Sequence, residues 1–169
     1  MRRSILALLA LPLLLTACGT AEAGTQQAAP PKNAAMVCGK EIRGEIGQTL
    51  GLTAAPAASS TWADSVFTCT YRLDSGPLVL SVNVAPTTAK AGAYFDSRRQ
   101  QTAGATPLAG LGERSFGTPQ GSVTVIKDAM TLTVDATRLP AVFGTSQQKR
   151  ADFAYEVASV VLGCWTGDE

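Results

Sequence analysis

The chain has 169 residues, 46% hydrophobic and 16% charged, with fourteen basic against thirteen acidic side chains and no histidine; its mean hydropathy is +0.13. A near-neutral charge without a clustered basic face argues against a nucleic-acid partner, the doublets Arg98-Arg99 and Lys149-Arg150 reading as solvated faces of helices. The lack of histidine removes Ser-His-Asp and Cys-His nucleophile arrangements, His-containing zinc sites and the commonest general base near neutral pH. An enzyme without histidine needs paired carboxylates, a Ser-Lys pair or a cofactor, and since no such spacing stands out, neither a metal nor another cofactor is expected.

At the N-terminus, Arg2 and Arg3 precede an apolar run from Ile5 to Leu15 that ends in Leu15-Thr16-Ala17-Cys18. Crossing a bilayer takes roughly 20 apolar residues, so this run is a signal core rather than a span. The four-residue ending resembles the cleavage site of bacterial lipoprotein signals, and the resemblance implies removal of residues 1–17 and lipid modification of Cys18. The mature chain then carries twelve basic and thirteen acidic side chains, since the two arginines leave with the leader. Several acyl chains on Cys18 anchor stably where one binds only marginally, at about 0.8 kcal/mol per buried methylene. The expected location is the extracytoplasmic face of the cell membrane, reached by general secretion.

Residues 18–35 form the anchor and a tether: Gly19 to Ala35 reads GTAEAGTQQAAPPKNAA and holds no large apolar residue. At about 5 to 6 Å times the square root of its length, it averages roughly 20 to 25 Å end to end. Residues 36–169 are expected to be one globular domain. Within it, Ile42, Ile46 and Leu50 recur at helical spacing, weakened by Gly44 and Gly47 and stopped near Gly51. An Ala/Ser/Pro-rich loop from Thr53 to Ser60 follows. Val66 to Leu73 and Leu78 to Val84 alternate apolar and polar residues around the turn Asp74-Ser75-Gly76-Pro77, a hairpin signature. Thr87 or Thr88 caps a helix to about Gln101. Beyond the Gly-containing loop from Thr102 to Gly112, Glu113 to Phe116 begins a strand, and Ser122 to Lys127 with Met130 to Ala136 makes a second hairpin. The last helix starts near Ser146, carries Phe153, Val157, Val160 and Val161 as its seam, and ends at Gly163.

Tight turns force antiparallel pairing. The expected fold is therefore α+β: one twisted antiparallel sheet of about five strands with the helices packed on one face.

Besides Cys18 there are three cysteines, Cys38, Cys69 and Cys164, an odd number for an oxidising compartment. One bridge and one remaining thiol is the simplest outcome. Chain entropy stabilises by about 3.7 kcal/mol for a 38–69 closure and about 4.9 kcal/mol for 38–164, too close to choose between them. A 38–69 bridge would pin the Gly-weakened first helix to the sheet.

Cys38 with its helix ending at Leu50-Gly51, then Cys69-Thr70-Tyr71, then Gly110-Leu111-Gly112-Glu113 entering a strand, resembles a family of small actinobacterial lipoproteins built on a domain of unknown function. The resemblance extends from Val37 to Leu162. It implies a Cys38–Cys69 bridge and a structural turn at Gly110-Leu111-Gly112, and Cys164 departs from its pattern. The family carries no established activity.

The functional reading is a non-catalytic module of the cell envelope that binds a small molecule or a protein partner, with the membrane itself held through Cys18. Trp62 and Trp165, read as loop residues, are candidate contacts. An accessory subunit of an envelope transporter or signalling kinase is the alternative, and a His-independent hydrolase stands behind both. The acids such a hydrolase would need, among them Asp64, Asp74, Asp96 and Asp128, are scattered through turns and helix faces. A concave apolar pocket of several hundred Å³ favours a ligand, and a flat apolar patch a protein.

Overall fold

A computed structural model describes residues 28–144 and 147–166. The leader and Cys18 lie outside them. The elements in chain order are the single turn α1 (Lys32–Ala35), a 3-10 turn (Met36–Cys38), α2 (Lys40–Thr49), β1 (Ala57–Ala63), β2 (Val66–Leu73), β3 (Gly76–Val84), α3 (Thr88–Gln101), β4 (Thr106–Pro107), β5 (Arg114–Thr118), β6 (Ser122–Lys127), β7 (Met130–Asp135), β8 (Val142–Phe143), β9 (Gln148–Lys149) and α4 (Arg150–Thr166).

Seven strands make one antiparallel sheet in the order β1-β2-β3-β7-β6-β5-β4, and β8 and β9 pair separately. The sheet thus exceeds the expected five strands. Strand β1 begins inside the loop expected from Thr53 to Ser60, and Ala57 to Ala63 has no large side chain but Trp62. Its backbone nevertheless pairs residue for residue with β2, from Ala57 opposite Arg72 to Ala63 opposite Val66. The chain then leaves β3 through α3 to the far edge at β4 and returns through β5 and β6, so that β7 closes against β3.

Alternation along the strands sorts the two faces. One carries the rows Phe67, Val82, Leu132, Val125 and Cys69, Leu80, Val134, Val123, each residue opposite the next on a neighbouring strand. Helix α4 crosses β6 and β7 on this face with α2 beside it. Phe153, Val157, Val161 and Trp165 recur every four residues along α4 and are all buried in the main core.

The expectation that all helices share one face is corrected by α3, which lies on the other. Phe116 and Ile126 point away from the main core by strand alternation, and they form a separate buried cluster with Ala91 and Phe95 of α3. The Phe95 and Phe116 rings meet edge to face at 5.3 Å, and Arg114 lies over Phe95 while pairing with Asp96. Covered on both sides, β5, β6 and β7 each bury a run of four consecutive residues, whereas β2 and β3 alternate. On the α3 face a row of hydroxyls runs from the strands that α3 leaves open into those it covers, where Thr124 and Thr133 are buried. The row is Thr61, Thr68, Ser81, Thr133, Thr124 across five strands, and the Thr124 and Thr133 oxygens are 3.1 Å apart.

The packed structure reaches further toward the N-terminus than residue 36. Ala34 of α1 is fully buried. The Trp165 indole donates to the carbonyl of Asn33 at 2.9 Å, and the Trp62 indole to that of Ala28 at 2.6 Å. Cys38, in the 3-10 turn, is bridged to Cys69 of β2 with Cα atoms 5.4 Å apart. Beside the bridge, the Tyr71 hydroxyl donates to the carbonyl of Val37. Burial pushes its phenol well above the usual tyrosine range, with the Arg43 charge acting against that shift. Two straps, one covalent and one hydrogen-bonded, therefore hold the entry segment to β2.

Candidate functional site

The sheet is wider than the helix that covers it. Helix α4 lies over β6 and β7 and only brushes β5, which leaves a gap between α4 and the β4–β5 edge. At β5 Gly117 faces α4, opposite Val123, and its lack of a side chain lets Leu108 close down over it. A Cβ there would meet the Leu108 side chain at 2.9 Å. The result is a cleft of about 490 Å³. Its floor is Gly117 and Val123, one wall is Thr106 and Leu108, the rim is Thr118 and Pro119, and the opposite wall is Ala151, Asp152 and Tyr155 of α4.

The Leu108 wall is held by specific contacts. Leu108 donates its N–H to the Ser115 carbonyl at 3.1 Å and accepts from the Ser115 hydroxyl at 3.2 Å. Tyr155 donates its hydroxyl proton to the Ala109 carbonyl at 3.1 Å, tying the loop to α4. The chain then bends through Gly110-Leu111-Gly112. Gly110 and Gly112 have φ of 78° and 53°, the left-handed region that side chains resist, while Leu111 between them is buried in the main core. A Cβ on Gly112 would fall 2.6 Å from the Ile126 carbonyl oxygen. The turn expected at this step is present, and it sets the position of one cleft wall.

The polar atoms of the cleft are mostly acceptors. The Thr106 hydroxyl donates to the Gly117 carbonyl at 3.3 Å, so its proton is used; that of Tyr155 is used on Ala109. Thr118 accepts from the Ser122 N–H at 3.2 Å and keeps a proton to give. Asp152, exposed in the first turn of α4, has no hydrogen-bond or ion-pair partner among the described residues. A smaller, more polar depression of about 210 Å³ lies between the α2–β1 loop and the β2–β3 turn, with Arg72 and Asp74 at its side.

The sequence-derived candidates lie elsewhere. Trp62 is in a strand and Trp165 in the last turn of α4, which runs past Gly163, and the indoles of both hydrogen-bond to the N-terminal segment. Asp64 sits in the β1–β2 turn, with φ of 52°, and Asp74 in the β2–β3 turn. Asp96 pairs with Arg114, and Asp128 with Lys127 at 2.8 Å. The structure gathers none of these four into one place. Among the described residues no group of three or more His, Cys, Asp or Glu is placed to hold a metal ion, and no helix is long and apolar enough to cross a membrane. Cys164 is half-buried in α4 and takes no part in the Cys38–Cys69 bridge.

No local sequence pattern joins the cleft residues, which come from three distant stretches, 106–108, 117–123 and 151–155. The one available signal was Tyr155, an aromatic residue off the apolar seam of its helix. Comparison with protein-family models, with curated proteins and with solved structures gives no match.

Proposed function

We propose that this protein is a lipid-anchored module on the extracytoplasmic face of the cell membrane that binds a small, largely apolar molecule without transforming it. The observation that carries the binding role is the cleft of about 490 Å³ beside α4, which falls in the size range of small-molecule sites. Its floor and walls are mainly aliphatic, and a few polar atoms stand at its edge. The anchoring role is supported by the leader and by the Leu15-Thr16-Ala17-Cys18 step, and the order of the Cys, Leu-Gly, Cys-x-Tyr and Gly-Leu-Gly motifs supports kinship with the small actinobacterial lipoproteins. The non-catalytic reading is supported by the absence of histidine and by the dispersal of the acids.

Two measurements test this reading. Mass analysis of the exported protein should find a chain beginning at lipidated Cys18, and Cys18→Ser should leave the protein unanchored with its melting temperature unchanged. An environment-sensitive apolar fluorophore should bind the Cys18→Ser chain at one saturable site, and Ala151→Trp, which fills the cleft from α4, should abolish it. Saturable binding untouched by Ala151→Trp would refute the cleft as the site, and turnover of ester, amide or glycoside substrates would refute the non-catalytic role.

A further inference from the structure

Resting on that reading of the cleft, we propose that its ligand is an amphiphilic cation: an apolar body carrying an amine or ammonium group.

The argument is a balance of donors and acceptors. Leu108, Pro119, Val123 and Ala151 offer only dispersion and burial. The Tyr155 and Thr106 hydroxyls have each given their proton to a backbone carbonyl, so each presents lone pairs alone to a ligand. Asp152 adds two more acceptor oxygens and a full negative charge, and nothing among the described residues occupies them. Thr118 supplies a single hydroxyl proton against this set. Among the described residues no lysine or arginine lines the cleft. Arg150, two residues before Asp152, sends its guanidinium to the carbonyls of Thr137 and Leu139, at 3.2 and 2.8 Å.

Each class of head group meets this edge differently. A carboxylate or phosphate brings acceptors to acceptors and like charge to Asp152. A neutral hydroxyl satisfies one oxygen. An ammonium is donor-only, with up to three protons on a compact charge, and its apolar body occupies the aliphatic floor. The position of Asp152 in the first turn of α4 favours the carboxylate through the helix dipole. The charge therefore selects the head group, while the floor holds the body.

The test uses three probes of one chain length, octylammonium, octanol and octanoate, titrated calorimetrically into the full mature chain carrying Cys18→Ser. The expected order of affinity is octylammonium, then octanol, then octanoate. Asp152→Asn should weaken octylammonium by about fivefold, the upper range for an exposed ion pair, and leave octanol unchanged. Asp152→Lys should invert the order of the two ions, and Ala151→Trp should remove all three. If the probes bind alike, or Asp152→Asn changes none of them while Ala151→Trp still does, the cationic class is overturned and the cleft stands as a site. If none binds, or Ala151→Trp has no effect, the cleft itself is overturned.

Discussion

Reducing the Cys38–Cys69 bridge should lower stability by an amount that follows from where the bridge sits. It closes a loop with a sequence separation of 31 that contains α2, β1 and the first half of β2. Freeing a loop of that length in the unfolded chain costs about 3.7 kcal/mol on the chain-entropy model. For a domain of this size that is a fall in melting temperature of roughly 10 to 15 °C. Chemical reduction is the cleaner perturbation, because Cys69 is fully buried and substituting it by alanine would add a cavity cost to the loop term. A Cys164→Ser background keeps the readout on one bridge. The assay is equilibrium urea unfolding of the oxidised and reduced forms, followed by tryptophan fluorescence and by circular dichroism. The reduced form should also show a steeper urea dependence, since its denatured state is less compact. Hydrogen exchange should quicken most in α2, which holds Gly44 and Gly47 and depends on its attachment. A loss below about 1 kcal/mol, or exchange that quickens equally throughout the sheet, would refute the reasoning, because a loop constraint worth its predicted value cannot vanish unless the unfolded chain already holds the two segments together.

A chain beginning at Met36 should be less stable than one beginning at Ala28 by about 2 to 3 kcal/mol, two hydrogen bonds near 1 kcal/mol each and one buried methyl, with a red shift of tryptophan emission as Trp165 is uncovered; equal melting temperatures would contradict the clasp. Gly112→Ala should destabilise by about 1 to 3 kcal/mol, through its φ of 53° and a contact 2.6 Å from the Ile126 carbonyl. Gly44→Ala, with open space around it in α2, should instead stabilise by about 0.5 to 1 kcal/mol, and thermal unfolding that gives both the same sign would show the backbone argument to be wrong. Burial raises the Tyr71 phenol, so the unfolded chain releases this proton first as pH rises. The contribution of Tyr71 should be constant below pH about 10 and fall above it, by at most about 1.4 kcal/mol per pH unit. Tyr71→Phe should flatten that decline in urea titrations between pH 9 and 11 while costing about 1 to 3 kcal/mol at pH 7 for the orphaned Val37 carbonyl.

The sequence by itself determined what depends on local period. β2, β3, β6 and β7 were legible because a strand turns alternate residues to opposite faces, and Phe67, Cys69 and Tyr71, or Leu78, Leu80 and Val82, mark one face unmistakably. The Phe153, Val157 and Val161 seam of α4 was legible for the same reason at helical spacing. The Cys38–Cys69 pairing was not: three cysteines allow more than one bridge, and loop entropy separates the choices by little. Resemblance, not spacing, implied the pair that the structure contains.

Only the tertiary structure decided matters of long-range packing. Ala57 to Ala63 is a strand because β2 offers it a row of backbone partners, which outweighs its weak side-chain pattern. The side of the sheet taken by α3 depends on Phe116 and Ile126 facing away from Val123 and Val125. Both sets are apolar, so the strand pattern does not tell which face a given helix covers. Trp62 and Trp165 became clasps because the entry segment brings carbonyls of Ala28 and Asn33 to their indoles. The cleft exists because a seven-stranded sheet extends past the width of one helix, and Leu108, seated over Gly117, forms a wall that α4 does not meet. No local pattern encodes a gap between elements, since a gap is made by the residues that fail to meet.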